Sequence, residues 1–496
     1  MELQRILVDE EHLTWDSAWD IVTRTYSYTN HTVLPEALEK WDVSLVQSLL
    51  PRHMMLIFDI NLFFLQNVEK TYPGDRDRLR RMSIIEEAGS SQYVRMAYLA
   101  VVGTHHVNGV AALHSELVKT QLFPDFVEFF GPEKFTNVTN GVTPRRWLNQ
   151  ANPKLGDLIT KTLGSNLWLK KLTELGKLKA KADDPEFQKT WMSIKRWNKQ
   201  RLSEYIEVAC GLKVSPDALF DIQCKRLHEY KRQFMNILGV IHRYESIKAL
   251  SDADLKKVVP KVVIFAGKSA PGYYMAKLVI KLINNVAIVL NRDERTSQYL
   301  KLIFIANYNV SLAEIIVPAS DISQHISTAG TEASGTSNMK FVLNGGLIVG
   351  TVDGANIEIG EETGDDNIYL FGVLTPQVED IRHQQMYVGG VKRDPKLESV
   401  LKSIQSGRYG NPSIFDSLLN TLGTDFYLLH ADFEACKFYC NLDIKTLDAV
   451  DADFQDKKVW AKKSILAAVS MAKFSSDRSI EDYAKNIWNV KPHAVK

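Results

Sequence analysis

The stretch KVVIFAGKSAPGYYMAKLVIKLINNVAIVLNRDERTSQYLKLIFIAN, residues 261–307, decides the fold of this chain. It begins and ends with short apolar runs, KVVIFAG and KLIFIAN, that are rich in β-branched residues. Between them, residues 273–293 have the apolar spacing of a helix. A strand that is apolar throughout is typical of a parallel sheet covered on both faces. The stretch therefore predicts one strand–helix–strand unit of an α/β fold.

Similar apolar runs on both sides extend this pattern. They are ALFDIQ (218–223), AEIIVPAS (313–320) and GGLIVGTV (345–352). We therefore predict a Rossmann-like, doubly wound parallel sheet from about residue 217, followed by helices from about residue 375 to the end of the chain. Ligands of such sheets bind at the carboxyl ends of the strands, where loops lead into helices.

The first 130 or so residues read instead as mostly helical. Apolar residues recur at spacings of three and four in 34–70, with Pro35 and Pro51 at expected helix starts, and 84–122 is similar. The segment 135–155 is rich in Asn, Gly, Thr and Pro, which predicts a domain boundary near residue 140. We expect a helical domain over 1–140 and a Rossmann-like domain over 141–496, whose last helix packs back on the first domain.

Composition excludes several classes of protein. The formal net charge of the 496 residues is +1, which indicates no nucleic-acid or membrane partner. Four cysteines argue against a secreted disulfide framework, and the pair Cys436 and Cys440 has no neighbouring partners for a zinc site, so no metal is expected. The first residues do not form a signal peptide, and no run of 18 apolar residues predicts a membrane span. A cytoplasmic protein is expected.

The loop and helix in TEASGTSNMKFVLNGGLIVGTVDGANIEI (331–359) hold the first candidate site. Small residues lead into MKFVL, so a helix that starts there would point free N–H groups at an anion, with Lys340 one turn inside. A buried lysine beside a phosphate site is what pyridoxal phosphate needs for a Schiff base. The alternative is a surface lysine after a capped loop, which is the commoner outcome for such spacing.

The run CKRLHEYKRQ (224–233) is the second candidate. On a helix, Lys225, His228 and Arg232 would share a face, and segregated cations suit several phosphate oxygens. The run follows the predicted strand ALFDIQ, which places it at the ligand crevice, although a basic solvated turn is the alternative. In YTNHT (28–32), His31 reads either as a ligand contact or as part of a helix-capping segment.

Six motifs resemble the α-1,4-glucan (glycogen) phosphorylase family, closest to its fungal members. They are YTNHTVLPEALE, TNGVTPRRWLNQANP, KRLHEYKRQ, GKSAPGYYMAKLVIKLI, EASGTSNMKFVLNGG and KFSSDRSIEDYAKNIW, in the family's order along the whole chain. The resemblance implies the GT-B fold, two Rossmann-like domains facing each other across a cleft. It also implies a glycosyltransferase that splits terminal glucose from glycogen or maltodextrin with inorganic phosphate, giving glucose 1-phosphate with retained configuration. The 5′-phosphate of pyridoxal phosphate would act as the general acid and base.

The resemblance also implies roles for individual residues. Lys340 would form the Schiff base; Lys225, Thr336 and Ser337 would hold the cofactor phosphate, and Trp147 and Tyr308 would line the cofactor. Arg226 and Lys231 would bind the substrate phosphate, with Lys231 in a position to touch both phosphates. The expected ligands of glucose hydroxyls are His31, Asn140, Glu332, Ser334 and Gly335.

One departure from the family's pattern concerns its amino-terminal half, which would precede Met1 and is missing from this sequence. If so, we expect the first domain's sheet to be largely absent and the crevice to be open on one side. The alternative to a working phosphorylase is then a catalytically inactive piece that still binds pyridoxal phosphate or glucan. The family is usually homodimeric, and the sequence leaves the oligomeric state of this chain open.

Overall fold

The computed structural model describes residues 1–438 and 446–493, which form two compact units. One unit consists of residues 1–139 with 480–496, and the other of residues 140–479. Cys440 lies outside the described residues. Among the residues that are described, no group of three His, Cys, Asp or Glu side chains is placed to hold a metal ion.

The first unit is mostly helical and contains two small sheets. Its helices are α1 (Glu2–Arg5), α2 (Trp15–Thr25), α3 (Val43–Leu49), α4 (Pro51–Thr71), α5 (Arg76–Met82), α6 (Met96–Val102), α7 (Ala112–Leu117) and α8 (Pro124–Phe130). Its strands are β1 (Tyr28–Thr29), β2 (Lys40–Asp42), β3 (Ile85–Ala88), β4 (Ser91–Arg95), β5 (Val107–Gly109) and β6 (Phe135–Asn137). They form a parallel sheet β1-β5-β6 and an antiparallel sheet β2-β4-β3.

The helical prediction for this unit was wrong at two places. The helix expected from Pro35 is a single 3-10 turn, Pro35–Ala37, and the chain then enters β2. The segment 84–122 contains β3, β4 and β5 as well as helices. Both errors have one cause: these strands are only three to five residues long, and pairing with partners distant in sequence, such as Trp41 with Val94, outweighs local periodicity.

The second unit is built on one parallel sheet. Its strands are β7 (Leu219–Cys224), β8 (Lys261–Ala266), β9 (Leu300–Ile305), β10 (Ile322–His325), β11 (Leu347–Thr351) and β12 (Tyr369–Phe371). Their order is β12-β11-β10-β7-β8-β9, with every pairing parallel. Read from β9 this is the Rossmann order 3-2-1-4-5-6. The prediction of a doubly wound, Rossmann-like α/β sheet is confirmed.

Helices cover both faces of this sheet. The helices of this unit are α9 (Pro153–Leu163), α10 (Pro185–Cys210), α11 (Gln233–Ala249), α12 (Asp252–Leu255), α13 (Tyr274–Arg292), α14 (Val310–Ala319), α15 (Ser337–Leu343), α16 (Ala355–Thr363), α17 (Thr375–Tyr387), α18 (Pro395–Gln405), α19 (Asp416–Asn420), α20 (Leu429–Phe438), α21 (Thr446–Gln455), α22 (Lys457–Val469) and α23 (Ser476–Tyr483), whose last residues belong to the first unit. Along β8 the side chains alternate: Val263 and Phe265 join the core shared with α11 and α13, whereas Val262 and Ile264 join the core shared with α10 and α14. Alternation with both faces buried explains why each strand is apolar throughout.

The strand predicted over 313–320 is instead part of helix α14. Asn309 caps this helix by accepting a hydrogen bond from the backbone N–H of Leu312 (3.0 Å). A short apolar run cannot be assigned to strand or buried helix by periodicity alone. The neighbouring strand β10 has the sequence ISQH, and its polar residues hid it from a search for apolar runs.

Helix α13 is long and apolar enough to cross a membrane by length and composition alone. In the structure, Leu278, Leu282 and Val286 are buried in the core beside the sheet. Burial of this face accounts for the composition of α13, because the core helix of an α/β fold passes the same test.

Candidate active site at the switch point of the sheet

The candidate site lies where the strand order of the second unit reverses. The chain runs outward from β7 through β8 to β9, then returns to place β10 on the other side of β7. The loops after β7 and β10 therefore leave the sheet in opposite directions and open a crevice between them. Lys225 follows β7 directly and His325 ends β10, and Lys225 Nζ lies 3.2 Å from His325 Nδ1.

The protonation of this pair follows from its neighbours. His325 Nε2 lies 2.9 Å from Ser323 Oγ, so a neutral ring can donate there and accept from the Lys225 ammonium through Nδ1. Burial, together with the nearby Lys225 and Lys231, lowers the pKa of His325 well below its usual value. Burial and the repulsion of Lys231 lower the pKa of Lys225 to about 8. Sequence reasoning gave His325 no role.

The basic run after β7 is a loop with one turn of 3-10 helix, Glu229–Lys231, and not the helix that was considered. The four cations consequently diverge. Arg226 is exposed, and Lys225 and Lys231 are half-buried. Arg232 has a left-handed backbone (φ 55°) and is fully buried, so it does not share a ligand-facing surface with Lys225.

Arg232 instead anchors the loop from inside the protein. Its guanidinium pairs with Asp432 Oδ2 at 2.6 Å and donates to the carbonyl oxygens of Ile326 (2.6 Å) and Ser327 (3.0 Å), which follow β10. It also donates to the carbonyls of Tyr427 and Leu428. Arg232 thus ties the loop after β7 to the loop after β10 and to the start of α20.

Among the described residues, Lys231 forms the single ion pair inside the crevice. Its Nζ lies 2.5 Å from Glu332 Oε2, and both side chains are mostly buried. Burial opposes both charges, but the attraction of the pair prevails: Glu332 raises the pKa of Lys231, and Lys231 with Lys225 lowers the pKa of Glu332. Two predicted ligand residues are therefore brought together as a charged pair.

Lys340 lies one turn inside α15, as predicted. Its Nζ lies 3.7 Å from the ring centroid of Trp147, which is buried. Burial lowers the pKa of Lys340, so a larger fraction of its amine is neutral and nucleophilic than in a surface lysine. No carboxylate among the described residues forms a salt bridge with it.

Tyr308 and Cys224 complete the wall behind Lys340. Burial raises the pKa of the Cys224 thiol to about 12, while a hydrogen bond with Tyr308 and the cations of Lys225 and Lys340 oppose this effect. Cys224 ends β7 and therefore lies at the base of the crevice. Trp147, Tyr308, Lys225 and Lys340 are brought together around it.

Asp353 organises the loop that carries Glu332 and Ser334. Its carboxylate accepts hydrogen bonds from the backbone N–H groups of Gly330 (3.0 Å), Thr331 (3.3 Å) and Glu332 (2.9 Å). Burial raises the pKa of Asp353 to about 6, although these hydrogen bonds favour the charged form. Sequence reasoning missed Asp353, but its place two residues after the end of β11, at the ligand end of a strand, was a usable signal.

The remaining predicted ligands are placed differently. Ser334 is buried and Gly335 half-buried in the loop before α15, while Thr336 is exposed and Ser337 half-buried. Asn140 is half-buried, and its backbone carbonyl oxygen accepts a hydrogen bond from Arg478 Nη2 (3.4 Å). His31 belongs to the first unit, where it is exposed. The ligand roles of these residues stay predictions.

A glycine fixes the position of Lys225. A Cβ atom added to Gly267, at the end of β8, would clash with the carbonyl oxygen of Lys225 and lie 3.0 Å from Leu227. We expect Gly267→Ala to lower the free energy of unfolding by about 1–3 kcal/mol, because the loop after β7 must move. The matched control is Gly272→Ala, in the loop after β8 that Gly267 begins, where an added Cβ atom would meet nothing within 4 Å. Equal urea midpoints for the two variants would contradict the prediction.

The crevice has an excess of positive charge. Lys225, Lys231 and Lys340 converge there with Glu332 as the ion-paired carboxylate, and Arg226 stands at the exposed side. Half-buried cations without counter-charges are unfavourable unless an anion binds. The arrangement suits a ligand with one or more phosphate groups, held by ammonium and guanidinium donors.

Comparisons with known proteins assign the chain to a family. The carbohydrate phosphorylase family matches residues 1–490. The chain belongs to the carbohydrate phosphorylase family. Among curated proteins it is 54% identical to glycogen phosphorylase 2 of Dictyostelium discoideum over 99% of this chain and 48% of that protein. It is 53% identical to glycogen phosphorylase of Saccharomyces cerevisiae, covering 99% of this chain and 56% of the yeast protein.

A plant relative extends the range of this similarity. The cytosolic α-glucan phosphorylase 2 of Arabidopsis thaliana is 47% identical over 99% of this chain and 58% of its own length. The chain therefore spans about half the length of the curated phosphorylases that it matches. Membership of the family confirms the resemblance on which the site residues were predicted.

Proposed function

We propose that this chain provides the cofactor and phosphate machinery of an α-1,4-glucan phosphorylase. The reaction is phosphorolysis of the terminal α-1,4-linked glucose of glycogen or maltodextrin by inorganic phosphate. The product is glucose 1-phosphate with retained configuration at the anomeric carbon. One observation carries the proposal: the convergence of Lys225, Lys231 and Lys340 with a single paired carboxylate at the switch point, in a chain of this family.

The residues around Lys340 fit pyridoxal 5′-phosphate. Lys340 would attach the cofactor covalently through its amine, whose pKa burial has lowered. Lys225, Thr336 and Ser337 would hold the cofactor phosphate, and Trp147 and Tyr308 would line the cofactor. Among the described residues neither Lys225 nor Lys340 forms a salt bridge, and this is the structural observation that favours the fit. When bound, the cofactor would supply a phosphate group that exchanges a proton with the substrate phosphate.

The substrate phosphate needs cations of its own. Arg226 would bind two of its oxygens as a fork, since the guanidinium is exposed and free to turn inward. Lys231 would bind it with an ammonium that Glu332 keeps protonated by raising its pKa. Two phosphates held side by side repel each other, and these cations offset the repulsion as positive charge develops on the glucose ring.

Glucose hydroxyls need neutral and anionic acceptors. Glu332 would accept hydrogen bonds from them, with its orientation fixed by Lys231 and by Asp353, which holds the Glu332 backbone. Ser334, Gly335, Asn140 and His31 would complete the set. Because Asp353 binds three consecutive N–H groups, it would act as a positioning residue for this loop.

A cytoplasmic location and glucan and phosphate as partners belong to the same proposal. They are supported by the family and by the balanced charge of the chain. We propose no nucleic-acid, membrane or metal partner.

The test is an assay of glucose 1-phosphate formation. The purified chain is incubated with glycogen or maltodextrin and inorganic phosphate, with and without added pyridoxal phosphate. We expect product only with the cofactor, and none when phosphate is replaced by sulfate. Product formation without the cofactor would overturn the proposal.

The same assay separates the proposal from its alternative, a piece that binds but does not turn over. A protein that retains pyridoxal phosphate through gel filtration yet forms no glucose 1-phosphate would be such a piece. A folded protein that retains no cofactor would contradict both readings of the crevice.

The low pKa of Lys225 predicts a pH dependence of phosphate binding. The ligand used to test this prediction is phenyl phosphate, which is already doubly charged at neutral pH because its second pKa is about 6. Binding favours protonated Lys225, so above its pKa of about 8 the ligand-free protein must take up a proton to bind. We expect the affinity to be flat from about pH 7 to pH 8 and to fall by up to about tenfold per pH unit above that.

Calorimetric titrations with phenyl phosphate across this pH range measure the change in affinity. Lys225→Met should bind weakly and without the slope, whereas Lys170→Met, at an exposed position, should behave like the parent protein. A slope that survives in Lys225→Met would assign the titration to another group.

A further inference from the structure

The side chain of Asn344 connects the two residues that meet at the amine end of the crevice. Asn344 follows the last residue of α15 and is 1% exposed. Its Nδ2 donates hydrogen bonds to the backbone carbonyl oxygens of Trp147 (2.6 Å) and Lys340 (2.9 Å). These are the residues whose indole ring and amine lie 3.7 Å apart. One amide group therefore joins the backbone of the aromatic wall to the backbone of the lysine.

The partners of Asn344 fix the orientation of its amide group. Both carbonyl oxygens can only accept hydrogen bonds, so the amide nitrogen, and not its oxygen, must face them. The amide oxygen accepts a hydrogen bond from Asn152 Nδ2 (3.1 Å). A flipped amide would set an oxygen against two carbonyl oxygens and a nitrogen against another N–H donor. The amide is therefore held in one orientation from both sides.

A row of buried amides continues behind Asn152. Asn152 Oδ1 accepts from Asn198 Nδ2 (2.9 Å), and Asn198 Oδ1 accepts from Arg201 Nη1 (3.1 Å). A guanidinium can only donate, so Arg201 sets the direction of these hydrogen bonds from one end, as the two carbonyls do from the other. Asn152 and Asn198 are each 1% exposed. Because each buried amide depends on the next, the row holds the amide of Asn344 rigidly.

The backbone of Asn344 is held by the same helix that carries Asn198. Lys195 of α10 is 5% exposed, and its Nζ donates to the carbonyl oxygens of Asn344 (2.8 Å), Ser320 (2.8 Å) and Pro318 (3.0 Å). Helix α10 thus fixes the end of α15 through both the main chain and the side chain of Asn344. The amide of Asn344 is a rigid support from which Trp147 and Lys340 are placed.

We propose that Asn344 is a positioning residue that sets the placement of the Lys340 amine over the Trp147 ring, with Asn152 holding its amide in the required orientation. The use of this placement for a cofactor rests on the proposed function. The placement itself belongs to the chain alone and can be measured without a cofactor.

The test compares Asn344→Asp with the parent protein in the ligand-free state. Aspartate keeps the size of asparagine but presents oxygens to the carbonyl oxygens of Lys340 and Trp147, so it separates what the amide joins. In protein labelled with ¹³C at lysine Cε, NMR observes the methylene group next to the Lys340 amine. The indole ring of Trp147 should displace its proton signal upfield, and Lys340→Met assigns the signal by removing it. We expect Asn344→Asp to lose most of this displacement.

A matched control separates positioning from general stability. Asn291 is half-buried on α13; it donates to the carbonyl oxygen of Leu302 (2.7 Å) and accepts from the Leu302 N–H (3.0 Å). Asn291→Asp should lower the urea midpoint but leave the Lys340 signal in its parent position. Asn344→Ala removes the amide without burying a charge and gives the same readout if Asn344→Asp does not fold.

Activity provides a second readout where the proposed function holds. With pyridoxal phosphate bound, Asn344→Ala should lower kcat about tenfold or more, because the attachment point is displaced. The KM for phosphate should change less than about twofold, since Arg226 and Lys231 are untouched. A parent protein that forms no product would count against the proposed function alone, because the NMR signal is measured without cofactor.

Two results would overturn the positioning role. One is a Lys340 signal that keeps its parent position in both Asn344→Asp and Asn344→Ala. The other is an equal displacement of the signal in Asn291→Asp, which would assign the effect to a general loss of packing.

Discussion

Replacing Asp432 by Ala is expected to lower the free energy of unfolding of the second unit by about 3–5 kcal/mol. The pair of Arg232 and Asp432 is almost completely buried, at 0% and 1% exposure, with 2.6 Å between Nη1 and Oδ2. The substitution leaves a buried guanidinium without its counter-charge. It also removes the acceptor of the Val373 N–H, which donates to Asp432 Oδ1 at 2.7 Å. Urea unfolding followed by circular dichroism measures the loss.

Glu379→Ala is the matched control for this prediction. Glu379 pairs with Arg382 at 2.7 Å, but its side chain is 77% exposed, so its removal should change stability by less than about 1 kcal/mol. Hydrogen exchange at the Val373 amide adds a local readout, since only Asp432→Ala removes its acceptor. Similar urea midpoints for the two variants would show that the buried pair contributes no more than a surface pair.

Asp432→Ala has a second expected consequence, in the crevice. Arg232 adopts a left-handed backbone that a non-glycine residue keeps only when its surroundings enforce it. The Asp432 carboxylate and the carbonyls after β10 supply that constraint, and Lys231 is the adjacent residue. Loss of the pair should therefore reduce phosphate affinity along with stability, whereas Glu379→Ala should affect neither.

The sheet of the second unit could be predicted because its signal is local. Runs such as KVVIFA and KLIFIA are buried on both faces, and burial on both faces selects apolar, β-branched residues at every position. The strand ISQH gave no such signal, because Ser323 and His325 point toward the polar site and bond each other. The fold signal was therefore weakest where the structure serves the site.

A site residue could be predicted when its own type and its neighbours in sequence indicate its role, and not when the role depends on contacts with residues distant in sequence. Lys340 followed a recognisable loop, and its position inside α15 agrees with the prediction. Arg232 looked like its basic neighbours, and nothing in the run KRLHEYKR shows that one arginine turns inward. That difference depends on Asp432, which is 200 positions away in sequence. His325 was missed for the same reason, because its role consists of contacts with Ser323 and with Lys225 on the neighbouring strand's loop. Asp353, in contrast, follows β11 at the ligand end of a strand and could have been found.

Under the proposed function, Lys340→Met is expected to abolish covalent attachment of pyridoxal phosphate and to lower glucose 1-phosphate formation at least about a hundredfold. Methionine keeps most of the volume that packs against Trp147 but has no amine. Without the covalent link the cofactor is no longer held in a defined position, and misplacement by about 1 Å is enough for a hundredfold loss. Borohydride reduction followed by peptide mapping detects the attachment independently of activity.

The peptide map shows which lysine carries the cofactor. In the parent protein the label should appear on the peptide that contains Lys340, and Lys170→Met should be labelled equally because Lys170 is exposed. Label on Lys225 in the parent protein would mean that the half-buried lysine beside His325, and not the lysine beside Trp147, provides the amine. Burial lowers the pKa of both lysines, and repulsion by Lys231 lowers that of Lys225 further, so the pKa values do not decide between the two amines. The proposed function does decide, because it needs Lys225 charged to neutralise a phosphate. An amine that must stay protonated for one task cannot serve as the nucleophile in another, and this division of roles makes Lys340 the expected attachment point.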